Sequence, residues 1–570
     1  MAELRLFDAG ASSAMPVPAA PDPNEILYRA TRMIIDGRVA EGRALLEDLV
    51  ARHPTIPDAW NNLASARRTL GDTEGGLAAI ARAVALAPER AEYHYNQGNA
   101  LRTANREPQA ADAYRAALAL LPGHSMAWNG LGLCLAADRN LAAAQRLAGA
   151  GRAYRRALVA DTGNGKAWNN LGAIFYEENL PYRALACLRQ AVAAEPGFAM
   201  PHNNLANIYR DIGRIDQAFA CFRTALELDP GYRDAHTNLI FSLDFDPRQS
   251  TASQQAERRR WAERHAALPA LPRRSGPDDP QRPLRVGYIS GDFKVHSAAA
   301  TFAAPILHHD RDRFRITCYY TDTVEDPTTA RFREAADRWR PIGSLSDEAL
   351  AQQVRADEID ILVDLSGHTN GHRLGVFARR PAPVQVTGWG HCTGTGMAQM
   401  DALLVDPVLV PQAERPLFAE AVVDLPCALS FEPFQTPPPA VPPPGHWLAP
   451  GRSGADDIVF GALGRGGKAG PDSIRLWAAV LQAVPGSRLY LKDRQYEDRL
   501  RRRDIRRAPS AAGAGGKGFG TCTPTETKLG LSQRSAGTSS GAAEVPRAGE
   551  TTRSSRRASS PICKRRRISS

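Results

Sequence analysis

Residues 167–200 read AWNNLGAIFYEENLPYRALACLRQAVAAEPGFAM, and residues 201–234 read PHNNLANIYRDIGRIDQAFACFRTALELDPGYRD, the same pattern one step further along. Both carry Asn-Asn-Leu near the start, an alanine in the middle of the second half and a closing proline. Working outward, Trp60 and Trp128 lie 68 apart, and Trp168, His202 and His236 fall at intervals of 34. Prolines keep the register at Pro54, Pro88, Pro122, Pro196 and Pro230. Each is placed to stop a helix, since proline lacks the N–H of the helical ladder and its ring clashes with the preceding turn. Such a chain is a row of helical hairpins.

The 34-residue period resembles that of the tetratricopeptide repeat. Small residues fall where two helices must approach: Ala64, Gly98, Gly132, Gly172 and Ala206 in first helices, and Ala83, Ala117, Ala157, Ala191 and Ala225 in second helices. Tyr114, Tyr154, Leu188 and Phe222 are expected to fill the space those residues leave. Repeats are read at 25–58, 59–92, 93–126, 127–166, 167–200 and 201–234, with a further first helix from 235. One unit cannot bury its apolar face alone, so the units stack into an α-solenoid over 25–248. The fourth has six extra residues near AAAQRLAGAG, expected as a lengthened helix or a bulged turn. Asn62, Asn96, Asn170, Asn204 and Asn238 recur beside the buried leucine and form a ladder on the inner face. An amide offers one acceptor and two donors, which suits bonding to the backbone of an extended protein or peptide acceptor. The alternative is that these amides only tie neighbouring helices together.

Residues 249–283 read as an Arg-rich linker helix and a Pro/Asp/Arg linker. Beyond them the pattern changes kind. Short β-rich runs at 284–290, 314–321, 359–365 and 383–389 alternate with helical stretches such as DEALAQQVRAD, which predicts a parallel, doubly wound α/β domain. Ligands bind such sheets outside the carboxyl ends of their strands. Three polar loops fall there: SGDFKVHS with His296, SGHTNGHR with His368 and Thr369, and GWGHCTGTG with His391, Thr393, Thr395 and Gly396. Each loop alone reads as a turn; three on one edge read as a site.

At 570 residues and 43% hydrophobic, the chain predicts two or three folding units. Its formal charge of +10 suggests nucleic acid until it is located. Residues 501–570 hold 16 Lys and Arg against 4 Asp and Glu, leaving 55 against 57 in the first 500. The basic excess is therefore a tail, with too few aromatics for a nucleic-acid role. Eight cysteines without a C-x-x-C pair or ligand spacing predict reduced thiols and no metal. With neither a signal-peptide pattern nor 18 consecutive apolar residues, the expected setting is the cytoplasm, away from membranes.

Taken in order, the repeats, LRVGYISGDFKVHS, ILVDLSGHTNGHRL, FARRPAPVQVTGWGHCTGTG and FGALGRGGKAGPDSIRLWAAVLQAVPGSRLYLKD resemble the O-GlcNAc transferase family, including its SPINDLY-like members, over roughly residues 25–493. The resemblance implies a glycosyltransferase-B region of two Rossmann-like units, 284–436 and 456–505, joined by a Pro/Gly-rich linker at 437–455. It implies inverting, metal-independent transfer of N-acetylglucosamine from UDP-GlcNAc to Ser or Thr, or of fucose in the SPINDLY branch, with the UDP-sugar a substrate and no cofactor. It also places the family's active-site histidine on His296 and the lysine at the donor diphosphate on Lys468. His368 is carried over as a further catalytic candidate, and Thr393, Thr395 and Gly396 as donor-binding. Many members have Tyr-Pro-Gly-Thr where this chain has His391, Cys392, Thr393 and Gly394, and Gly466 and Gly467 before the lysine also depart from the usual set. Residues 1–24 and the basic segment 506–570 are expected to be disordered. The second Rossmann unit is expected to be incomplete, with the segment after about 505 an out-of-frame or aberrant terminus. A tetratricopeptide-repeat adaptor with a degenerate catalytic domain is the rival reading, and the terminal repeats are candidates for oligomer contacts.

Overall fold

Helix-stopping prolines and turn glycines recur on the 34-residue period, and the chain folds accordingly in the computed structural model, which describes residues 22–272, 279, 281–432, 458–464, 466–492 and 519–522. The first hairpins pair α1 (Pro23–Ile35) with α2 (Val39–Arg52), α3 (Pro57–Thr69) with α4 (Thr73–Leu86), and α5 (Ala91–Thr103) with α6 (Glu107–Leu120). The next pair α7 (Ser125–Ala137) with α8 (Ala143–Ala160), α9 (Gly165–Glu177) with α10 (Pro181–Ala194), and α11 (Ala199–Asp211) with α12 (Ile215–Leu228). A single helix, α13 (Arg233–Leu243), closes the row. The extra residues of the fourth repeat are divided between a longer α8, 18 residues against 14 in α6 and α10, and the loop that precedes it.

The small residues are explained by what faces them. A Cβ on Gly98 would meet the Tyr114 ring at 2.6 Å, one on Gly172 would meet Leu188 at 2.9 Å, and one on Gly132 would run into Tyr154. Close packing at these positions leaves no room for a methyl group. The tryptophans occupy equivalent places. The indole N–H of Trp60 donates to the Pro54 carbonyl at 2.9 Å, that of Trp128 to Pro122 at 2.8 Å and that of Trp168 to Thr162 at 2.9 Å. His94 takes the same part against Pro88 at 2.8 Å.

After the solenoid comes α14 (Thr251–His265), then β1 (Leu284–Ser290), α15 (Ser297–Leu307), β2 (Phe314–Tyr320), α16 (Pro327–Ala335), β3 (Arg338–Pro341) and α17 (Asp347–Ala356). They are followed by β4 (Ile361–Asp364), α18 (Leu374–Ala378), β5 (Val384–Gly388), β6 (Ala402–Val405) and β7 (Ala421–Asp424). The seven strands form one parallel sheet in the order β3-β2-β1-β4-β5-β6-β7. The short strands β3, β6 and β7 escaped the sequence reading, because four residues are too few to show an alternating pattern; β4 is as short but sits in a longer β-rich run. Alternate residues of β1 separate the two cores. Val286 and Tyr288 pack with Phe302 and Ile306 of α15, while Ile289 packs with Leu350 and Val354 of α17. Trp261 of α14 and Ile240 of α13 belong to that second core, so the linker helix wedges solenoid and sheet into one packed body.

A second parallel sheet, ordered β10-β9-β8, is built from β8 (Val459–Leu463), β9 (Arg488–Lys492) and β10 (Phe519–Cys522), with α19 (Pro471–Ala483) between the first two. The strand β10 lies inside the segment 506–570 expected to be disordered, and corrects that expectation for residues 519–522. It is recruited by main-chain pairing with β9, Phe519 opposite Leu489, which needs no periodicity of its own. The expected disorder of 1–24 and 506–570 and the linker at 437–455 fall almost wholly outside the described residues. No described helix is long and apolar enough to cross a membrane.

Candidate functional site

The strand order turns in opposite directions on either side of β1 and β4, and the loops leaving their carboxyl ends diverge there to open a crevice. His296 sits on the first of these loops and His368 on the second, lining one cavity of 1160 Å³. Thr369 and the Trp389–His391 stretch after β5 line it too, so all three polar loops meet as expected. The opposite wall is the solenoid, through Arg139, Arg210, Asn238 and Phe241.

His296 caps α15, its Nδ1 accepting the Ala298 N–H at 3.2 Å, with Asp292 Oδ1 3.3 Å away. The side chain is 38% exposed and lines the cavity, while its Nδ1 serves the loop. Lys294, two residues earlier, pairs with Asp322 on the same rim. Burial raises the Asp322 pKa, but the Lys294 ammonium and the Thr323 and Val324 N–H groups together outweigh it and hold the carboxyl below its usual range.

His368 lies deeper. It is fully buried, Nε2 donates to the Thr395 carbonyl at 2.8 Å, and the Trp261 ring meets it edge-on at 4.8 Å between centroids. Burial drives its pKa well below the ordinary histidine value, so the ring is neutral and its buried Nδ1 is an unmet acceptor. The acidic end of β4 shapes this loop: Asp364 accepts from the backbone of Ser366 at 3.1 Å and Gly367 at 2.8 Å, and from the Thr387 hydroxyl at 2.8 Å.

Thr393, Thr395 and Gly396, expected at the donor, are set elsewhere. Thr393 is held by α14, its hydroxyl accepting from Arg258 at 2.8 Å and its carbonyl from Gln255 at 2.7 Å. The buried Thr395 gives both its N–H and its hydroxyl to Glu420, each at 2.5 Å. Gly396 has φ +72°, and a Cβ there would lie 2.5 Å from the Arg258 backbone. This half of the loop is spent on packing the linker helix, and none of the three lines either cavity that holds His296 or Lys468.

Lys468 lies in a neighbouring cavity of 1310 Å³ that shares Arg210, Phe241 and His391 with the first. The glycine before it has a physical reason. A Cβ on Gly467 would lie 2.7 Å from the Arg210 carbonyl, so only glycine lets the lysine turn seat on the end of α11.

The asparagine ladder binds itself. Asn96 donates to Asn61 at 2.8 Å, Asn170 to Asn129 at 2.9 Å, Asn204 to Asn169 at 2.8 Å and Asn238 to Asn203 at 3.0 Å, while Asn62 starts the series on Thr31 at 2.8 Å. Each bond crosses to the preceding repeat and uses one of the two amide hydrogens. The ladder is interrupted where Tyr95 and Gly130 replace asparagine, because Tyr114 fills that space. All five expected asparagines remain half-buried rather than buried, and the last of them lines the His296 cavity.

Where solenoid meets sheet, histidines cluster around Trp261. His236 bonds Glu257 at 2.9 Å and His265 at 3.2 Å, and His372 bonds Thr237 at 3.1 Å. Burial, then the neighbouring His236, lowers the His265 pKa to about 4; burial, then Arg233, lowers that of His372 to about 3. Depressed histidine pKa values stabilise the fold above the unfolded value near 6.5. Stability should therefore be full above pH 6.5 and fall as the pH drops toward 4, by at most about 1.4 kcal/mol per pH unit for each histidine. Urea midpoints between pH 7.5 and 4.5 measure it, and a flat series would contradict the assignment.

Sequence reading missed Arg258, Asp244, Lys294 and the solenoid arginines. Arg258 belongs to an ERRRW run in which Arg260 is 66% exposed and Arg258 is 0% exposed, a contrast that the residue letters do not carry. Asp292 had a signal in its place four residues before His296 in the same motif.

The glycosyl transferase family 41 pattern matches residues 233–430, and tetratricopeptide-repeat patterns match 36–91, 63–125, 95–164 and 199–232. A SPINDLY protein of Arabidopsis thaliana, described as a probable UDP-N-acetylglucosamine–peptide N-acetylglucosaminyltransferase, is 37% identical over 219 residues, 38% of this chain and 23% of its own length. Its counterpart in Solanum lycopersicum is 34% identical over 218 residues, 37% of this chain and again 23% of the relative. The chain thus spans about a quarter of the length of these curated relatives. A solved O-GlcNAc transferase mutant from Thermobaculum terrenum superimposes with a TM-score of 0.61 at 34% identity, over 70% of this chain and 75% of that one. Repeats, switch-point crevice and likeness across three quarters of a solved relative agree, and the chain belongs to the O-GlcNAc transferase family.

Proposed function

We propose that this chain transfers N-acetylglucosamine from UDP-GlcNAc to Ser or Thr hydroxyls of protein segments drawn along the solenoid. The supporting observation is that Asn238, the last rung of the ladder, and His296 line one cavity. The second hydrogen of each amide is left to bond an extended backbone, whose next residues would enter the crevice. In the transfer step, the acceptor hydroxyl oxygen bonds the anomeric carbon as the bond to the diphosphate breaks. The hydroxyl proton passes to His296 Nε2, directly or through a water, in the tautomer whose Nδ1–H is given to Asp292 in place of accepting from Ala298, and UDP departs. One displacement inverts the anomeric centre. Lys468 is assigned to neutralise charge growing on the leaving diphosphate, the part a metal ion plays elsewhere, so EDTA is expected to leave turnover unchanged.

Calorimetry with UDP tests the donor half. Binding is expected for the natural chain and weakened about tenfold or more by Lys468→Ala, the loss of roughly one charge-assisted contact. No UDP binding at millimolar ligand would leave a peptide-binding adaptor instead. For the acceptor half, replacing Asn170 and Asn204 together by alanine is expected to raise KM for a long acceptor peptide with kcat little changed. An unchanged KM would confine the ladder to holding neighbouring helices together.

A further inference from the structure

We infer that the solenoid completes the catalytic cleft: Asp244, on the turn that ends α13, orients His391 at the seam between the two cavities and makes His391 a positioning residue for transfer. This rests on the transferase reading above and extends it, since it gives the repeats a part in the chemical step as well as in holding the acceptor.

Three segments distant in the chain converge on the ring. His391 Nε2 lies 3.2 Å from Asp244 Oδ2 and Nδ1 lies 3.0 Å from the Thr393 hydroxyl. Arg258 Nη2 reaches both Asp244 oxygens at 2.9 Å and Thr393 Oγ1 at 2.8 Å. A carboxylate only accepts, so Nε2 carries a hydrogen; in the neutral ring Nδ1 then accepts the Thr393 hydroxyl, whose oxygen accepts from the guanidinium. The circuit selects one tautomer and one ring orientation. Burial raises the Asp244 pKa, but His391 and Arg258 together outweigh it and hold the carboxyl below its usual range, so the acceptor stays ionised.

The ring is also placed where its orientation matters. His391 lines the cavity of His296 and the cavity of Lys468, and its side chain is only 13% exposed. The loop it ends is pressed against both neighbours. A Cβ on Gly390 would run into the Leu365 carbonyl, one on Gly367 would meet His391 itself at 3.1 Å, and the Trp389 carbonyl accepts from Thr301 of α15 at 3.4 Å. The loop that carries the imidazole is thus packed directly against the loop after β4 and the helix that His296 caps. Asp244 and Arg258 stand outside the sheet domain's own strands, so the geometry of the crevice depends on the last repeat and the linker helix.

The test compares two acceptors with UDP-GlcNAc: a long peptide able to run along the ladder, and a short one of a few residues around the hydroxyl. His391→Ala is expected to lower kcat about 10- to 100-fold on both, the scale of a 1 Å misplacement, with the donor KM changed by less than about twofold. His391→Gln should restore most of the rate, because its amide N–H can donate to Asp244 and its oxygen can accept from Thr393. Asp244→Asn is expected to lower kcat on the short peptide as well, although that peptide needs no ladder. Because Asp244→Asn leaves Arg258 buried without its counter-charge, its melting temperature is measured alongside, and the two His391 variants decide the matter if it does not fold. Undiminished kcat in His391→Ala, or a Gln variant as slow as the Ala variant, would overturn the proposal while leaving the transferase reading in place. A natural chain that glycosylates neither peptide would sink that reading, and this proposal with it.

Discussion

With His296 changed to alanine, transfer should fall by about 10²- to 10⁴-fold, the range that a positioned general acid or base contributes. The expectation rests on a divided side chain. Nδ1 caps α15 through Ala298, and the ring lines the cavity that Asn238 and the β4 loop also line. Alanine removes both functions, and losing the cap alone costs about 1 kcal/mol. His296→Asn separates them, since asparagine is among the best capping residues but has no nitrogen that titrates near neutrality. Asparagine should therefore restore the melting temperature and leave transfer low. A variant in which the cap and the activity return together would make His296 a structural residue alone.

Trp261→Ala carries the largest expected effect on stability, about 3–5 kcal/mol, as for other large-to-small changes in a packed core. The side chain is fully buried in the core that joins Ile240 of the last solenoid helix to Leu350 and Val354 beneath the sheet. Its ring touches His265, His368 and His372, and its N–H donates to Thr237 at 3.0 Å. Removing it opens a cavity at the junction of solenoid and sheet, so the loss should show as separate unfolding of the two, with earlier proteolysis in the segment after His265. Trp261→Phe keeps most of the packing and forfeits the bond to Thr237, which predicts a smaller loss of about 1 kcal/mol. Denaturant titrations of both variants decide it; a shift below about 1 kcal/mol in the alanine variant would show that the domains are not joined through this core.

The two effects lie at opposite ends of what a sequence reveals. His296 stands in a motif whose loop could be located, because β1 before it alternates apolar residues and α15 after it begins at a definite cap. Trp261 stands in an Arg-rich helix whose pattern says nothing of what covers it. The candidate site residues divide in the same way. His296 and the last asparagine line one cavity and Lys468 the one beside it. Thr393, Thr395 and Gly396 looked like the same kind of Gly/Thr loop, yet they are held by Arg258, Gln255 and Glu420. Composition could not distinguish a loop that faces a ligand from one that faces a helix arriving from elsewhere in the chain.

What the amino-acid order settled by itself is everything that depends on neighbours within about forty residues: the hairpin period, the prolines that end helices, the glycines opposite Tyr114 and Tyr154, the strands long enough to alternate. Those are local steric and hydrophobic constraints, and they repeat, so each copy corroborates the next. Tertiary structure alone decided which asparagine hydrogens are tied to the preceding repeat, which arginine of three in a row is buried, and that Asp244 meets His391. These turn on contacts such as Arg258 to Thr393, 135 residues apart, whose energies depend on desolvation and direction and leave no period in the sequence.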